Sequence, residues 1–242
     1  ILSSTDAASV FSILRSKKLN LKYNTASLLE IESGSNDPFA YMLTVLGLIL
    51  LKGAGVESVF PMFIAQIGYG IISGILIAKA GILIYKKTDL IQEGTDTLFV
   101  VALALASYAI PDLIGGNGFL SVYITGIILG NSEIKNKINL IYFFDGITQL
   151  SQIIIFFLLG FLSTPSRIYE IFVPSILIVL FLSFIARPIA ISLIMLPFRA
   201  KLNQIAFVSL AGLRGAASIV FAIFAVAESA DLKFDLFHIV FF

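Results

Sequence analysis

The chain has no cysteine among its 242 residues, which excludes disulfides, thiolate metal sites and cysteine nucleophiles. Charge is also scarce. Asp, Glu, Lys and Arg make up 13 % of the residues, about half of the roughly 25 % of a soluble domain. A net charge of +1 argues against a nucleic-acid partner, since phosphate neutralisation needs a basic surface. There is one histidine, His238, which reads as structural among its apolar neighbours. Ten-residue alternating segments, the mark of a transmembrane barrel, are absent, as are low-complexity tracts and soluble linkers. No initiator Met or signal peptide precedes Ile1-Leu2-Ser3-Ser4, and Phe241-Phe242 lies within an apolar stretch. Both ends therefore read as cut, and the chain as the middle and later part of a larger membrane protein.

What remains is apolar. Hydrophobic residues are 58 % of the chain and the mean hydropathy is +1.01. Apolar segments fall near 1–14, 28–51, 59–85, 95–113, 118–130, 147–163, 171–198 and 204–227, with another beginning at Phe234. The fold class is accordingly all-α, a polytopic helical membrane protein. The segment 118–130 is short for a span and follows the breaker cluster Gly115-Gly116-Asn117-Gly118.

Basic residues give the orientation. Alternate connections carry Arg15, Lys17, Lys18 and Lys22, then Lys86 and Lys87, then Lys135 and Lys137, then Arg199 and Lys201. The opposite connections carry only Lys52, Arg167 and Lys233. Ten against three predicts that the first set faces the cytoplasm. Lys79, near enough to Lys86 to snorkel, carries no function.

Five charges lie where lipid should exclude them: Asp6, Glu32, Asp37, Arg187 and Arg214. From Phe39 to Leu51 there is only about 20 Å of helix at about 1.5 Å per residue. A bilayer core is about 30 Å thick, so this span must begin upstream, near Leu28. Ser33, Asn36 and Asp37 then lie within the membrane, and the rival reading of Asn36-Asp37-Pro38 as a loop turn is disfavoured. Their spacing puts two neutral polar groups and one carboxylate on one helical face. Oxygen ligands suit hard cations, and ionisable groups inside a membrane usually mark an ion or proton path. Pro38 frees a carbonyl near the same level.

Thr5-Asp6-Ala7-Ala8 interrupts the first apolar segment. It fits an N-cap and equally the end of a half-helix inside the bilayer, where transporters build ion sites. Arg187, between Ala186 and Pro188, is too deep to snorkel and needs a carboxylate, for which Glu32 is the natural candidate. Glu30 is nearer the cytoplasmic end and reads as bland. Arg214, flanked by Gly212 and Gly215, reads as a fixed positive charge in an unwound or closely packed stretch. Three acids against two bases leave about one carboxylate for a cation or a proton. An intramembrane aspartyl protease, with Asp6 and Asp37 sharing a proton, and a cation channel are the alternatives. The first lacks a Gly-x-Gly-Asp pattern, and no Thr-Val-Gly-Tyr-Gly filter occurs for the second.

Thr5-Asp6-Ala7-Ala8, Glu30 through Pro38, Ala186-Arg187-Pro188 and Gly212-Leu213-Arg214-Gly215-Ala216 occur here in one order. Leu129-Gly130-Asn131, Asn136-Lys137 and Phe144-Asp145-Gly146 lie between them. In these residues the chain resembles the monovalent cation:proton antiporters of the NhaP type, closest to the bacterial potassium/proton branch. The resemblance implies a homodimeric, multi-pass protein of the bacterial inner membrane with about thirteen spans in two inverted repeats. It implies a mobile core domain in two parts, 1–58 and 166–242, with crossed, partly unwound helices around Asp6 and Arg214. Residues 59–165 would form the dimerisation domain. It implies that Asp37 carries the ion and the proton, with Asp6, Thr5, Asn36 and Ser33 completing a monovalent-cation site. Glu32 and Arg187 would be a structural ion pair, and Asn36 beside Asp37 the mark of electroneutral exchange. Neither enzymatic activity nor a cofactor is expected.

Overall fold

The computed structural model describes residues 1–6, 21–53, 55–87, 95–212, 215–228 and 235–241. Every regular element among them is helical. Besides a short 3-10 turn, Lys22–Asn24, and a π-helical turn, Leu182–Ala186, they are α1 (Thr25–Leu51), α2 (Val56–Lys87), α3 (Thr95–Leu113), α4 (Gly118–Gly130), α5 (Lys137–Leu162), α6 (Pro165–Phe181), α7 (Arg187–Met195), α8 (Leu202–Leu210), α9 (Ala216–Glu228) and α10 (Asp235–Phe241). Among the described residues, five stretches are long and apolar enough to cross a membrane: Lys22–Leu51, Glu57–Lys87, Thr95–Leu113, Lys137–Leu162 and Ile171–Met195. This is a helical membrane protein.

The chain separates into two compact units, one of residues 1–40 and 154–242, the other of residues 41–153. In the second unit, α2, α3 and α4 pack together. Gly70 and Gly74 give α2 a small-residue face, and a methyl at Gly74 would come within 2.7 Å of the Ser121 carbonyl on α4. That closeness lets Thr125 Oγ1 donate across to the Gly74 carbonyl at 3.1 Å. Without a hydrophobic force between helices in lipid, such close backbone packing is what holds them. The breaker cluster ends α3 and starts α4. Gly115 takes a φ of +78°, and the Asn117 side chain accepts from Leu120 N–H at 2.9 Å as an N-cap.

The first unit is packed around Leu29 of α1, Ile191 and Met195 of α7, and Ile205 and Val208 of α8. Its single histidine, His238, is buried and accepts from the Thr164 N–H at 3.3 Å through Nε2, tying α10 to the start of α6. That is the structural role expected of it.

Three expectations about helix limits change. The apolar segment 147–163 is only the second part of α5, which begins at Lys137. Lys137, Asn139 and Asp145 lower the hydropathy there, but Ile138, Leu140, Ile141, Tyr142, Phe143 and Phe144 between them keep the stretch apolar enough to continue the span. Segment 171–198 is two helices joined by a π-helical turn, Leu182–Ala186. Pro188 has no N–H for a regular bond, and the Arg187 N–H instead bonds the Leu182 carbonyl. Segment 204–227 is broken, with Ala211, Gly212 and Gly215 outside any helix.

Candidate functional site

The first unit gathers most of the intramembrane polar residues. α1 runs without a break from Thr25 to Leu51, through Pro38, so Ser33, Asn36 and Asp37 sit well inside a span and the loop reading fails. Facing them is the non-helical segment Ser4-Thr5-Asp6. Thr5 Oγ1 donates to Ser33 Oγ at 3.1 Å and accepts from Asn36 Nδ2 at 2.9 Å. The Asn36 amide also donates to Glu32 Oε1 at 3.0 Å. With its amino group tied twice, Asn36 keeps its carbonyl oxygen available as a cation ligand.

Glu32 and Arg187 meet, as their depth requires. Arg187 Nη2 lies 3.3 Å from Glu32 Oε2. The same guanidinium donates from Nε to the Ser209 carbonyl at 3.0 Å and from Nη2 to the Val208 carbonyl at 3.3 Å. These are the last-turn carbonyls of α8, left without intrahelical partners where the helix stops. Arg187 is therefore at once the partner of Glu32 and the C-terminal cap of a half-helix. A side chain at Gly212 would overlap the guanidinium, which is why that position is glycine.

The two breaks touch. A methyl added at Gly215 would come within 2.5 Å of Asp6 Cβ and 2.8 Å of its Cγ. The Ser218 hydroxyl of α9 donates to the Ser4 carbonyl at 3.3 Å. Gly215→Ala is expected to cost about 1–3 kcal/mol by overpacking, read as a lower melting temperature in detergent. An unchanged melting temperature would mean that the breaks are not packed in this way.

A cavity of about 380 Å³ borders this cluster, with Thr5, Glu32, Asn36, Arg187 and Gly212 among its lining residues. Polar side chains on one wall and apolar ones from α7 on the other make it suitable for water or a hydrated ion.

Of the residues singled out from sequence, Thr5, Ser33, Asn36, Glu32 and Arg187 form one hydrogen-bonded cluster. Asp37 is held beside it by Ser4, whose Oγ donates to Asp37 Oδ1 at 2.5 Å. Asp6 packs against Gly215. Arg214, Ala7 and Ala8 lie outside the described residues. Sequence reasoning passed over Ser4 and Ser218. The signal for Ser4 was its place one residue before Thr5 in a stretch already judged to be interrupted.

A model of the family "Sodium/hydrogen exchanger, transmembrane" matches residues 1–242. The chain is 39 % identical over 246 aligned positions to the K(+)/H(+) antiporter NhaP2 of Shewanella sp. strain ANA-3, covering 98 % of this chain and 42 % of that protein. It is 27 % identical to the Na(+)/H(+) antiporter 1 of Methanocaldococcus jannaschii, covering 92 % of this chain and 54 % of that one. The structure of the sodium proton antiporter MjNhaP1 from the same organism at pH 8 matches with a TM-score of 0.78 and 22 % identity. That match covers 98 % of this chain and 64 % of the other, and it speaks for the fold alone. The chain spans about two fifths of the length of the potassium/proton relatives.

Proposed function

The chain belongs to the sodium/hydrogen exchanger transmembrane family, and from that membership we propose that its whole protein exchanges K⁺ or Na⁺ for H⁺ by alternating access. The observation that carries the reading is the placement of Asp37 in mid-span, beside oxygen-bearing side chains from a second, non-helical segment. Asp37 alternates between a cation and a proton. Thr5, Asp6, Ser33 and Asn36 complete the cation's surroundings, and Glu32 with Arg187 holds α1 against the broken helix. Arg214 supplies a fixed positive charge. The cavity beside Thr5 and Asn36 is the ion's way to the site.

Several features follow from the same reading. The protein sits in the bacterial inner membrane as a homodimer, with residues 59–165 supplying dimer contacts and 1–58 with 166–242 forming the moving core. A protease or channel activity is not favoured by this family membership.

One available carboxylate exchanging one cation for one proton makes the cycle electrically silent. Full-length protein in liposomes, driven by an outward proton gradient, is expected to exchange without a signal from a membrane-potential dye. Exchange that builds a potential, and slows when that potential is opposed, would refute the electroneutral cycle. Asn36→Asp adds a second acid next to Asp37, but charges so close resist joint ionisation. The expected change is in its pH profile rather than a gain of electrogenic transport.

A further inference from the structure

We propose that Ser4 is a positioning residue of the ion site, committing one oxygen of the Asp37 carboxylate and leaving the other for the cation. This inference rests on the exchange reading above and extends it to a residue outside the predicted set.

Three observations carry it. Ser4 has no solvent exposure, so its hydroxyl must find a protein partner. The partner is Asp37 Oδ1, at 2.5 Å. The Ser4 backbone is itself anchored, because Ser218 of α9 donates to its carbonyl at 3.3 Å, and Ser218 is 1 % exposed. The Ser4 hydroxyl thus has a fixed origin that does not depend on α1, the helix bearing Asp37.

A carboxylate on a two-bond side chain turns easily about its terminal torsion, which is broad rather than confined to sharp wells. A single donor fixed from outside the helix removes that freedom before the cation arrives, and such preorganisation favours binding. A hydroxyl suits both halves of an exchange cycle. It donates to the ionised carboxylate, and it can accept from the protonated one by turning about its C–O bond. Neither backbone segment has to move for that switch. Ser4 differs in this from Thr5, whose hydroxyl already donates to Ser33 and accepts from Asn36.

The test uses the full-length protein in liposomes with cation-dependent proton flux measured at fixed pH. Ser4→Ala keeps the backbone and nearly the volume, and is expected to raise the apparent KM for the transported cation about tenfold, the size of one charge-assisted hydrogen bond. The maximal rate should stay within about twofold, because Asp37 still carries the ion. Ser4→Thr, which keeps the hydroxyl, should return KM to near the wild-type value. Ser218→Ala, which loosens only the anchor, should raise KM by less than Ser4→Ala does. An unchanged KM in Ser4→Ala, or a loss of rate alone, would overturn the assignment and leave the exchange reading standing. Absence of exchange in the wild type would remove both.

Discussion

Asp37→Asn is expected to abolish cation:proton exchange while leaving the protein folded. The asparagine keeps the size of the side chain and can still accept from the Ser4 hydroxyl, which now lies 2.5 Å from Asp37 Oδ1. What it loses is the charge that attracts a cation and the group that takes up a proton. Neutralising an acid in a membrane span also removes a desolvation cost, so the melting temperature should hold or rise. Loss of function without loss of stability is the signature of a working charge rather than a structural one. Substantial exchange in folded Asp37→Asn protein would show that the ion uses another group.

The opposite signature is expected at Glu32 and Arg187. Removing one partner strands the other, at a cost of about 3 kcal/mol, near the lower end for buried pairs; the side chains are 20 % and 14 % exposed. Each of Glu32→Gln and Arg187→Gln should therefore lower stability more than Asp37→Asn does. The two losses should also be unequal. Arg187 caps the carbonyls of Val208 and Ser209 as well as pairing with Glu32, so Arg187→Gln should be the more damaging. The double variant should recover the part due to the stranded charge but not the part due to the lost cap. Melting temperatures of the four proteins form the cycle that separates these contributions. Strict additivity would mean that the ion pair contributes nothing of its own.

The contrast between the two sites reflects how much each could be read from sequence. The pairing of Glu32 with Arg187 was legible because Arg187 lies too far from either end of its apolar segment to snorkel, and a charge at that depth leaves few choices of partner. The start of α1 upstream of Ser33 was legible for a similar reason, since the residues after Pro38 are too few to cross a bilayer. The breaks at Thr5-Asp6 and around Gly212 were signalled by capping residues and glycine. Hydropathy served less well where polar residues interrupt an apolar stretch, and α5 begins ten residues before its apolar segment, at Lys137 rather than 147.

Contacts between distant segments were not legible. Ser4 and Asp37 are 33 residues apart, and Ser4 and Ser218 are 214 apart. A lone serine has no period or spacing to announce its partner. The capping of α8 by Arg187 was hidden because backbone carbonyls carry no sequence signature; only where a helix stops decides which of them need a donor.

The central claim is exchange of a monovalent cation for a proton at Asp37, and one measurement tests it most directly. The full-length protein is reconstituted into liposomes holding a pH-sensitive dye and an acidic lumen, and K⁺ or Na⁺ is then added outside. The account predicts a saturable rise in lumenal pH that depends on the added cation and is absent with Asp37→Asn. A lumenal pH that ignores both cations, or that rises equally in Asp37→Asn liposomes, would contradict it.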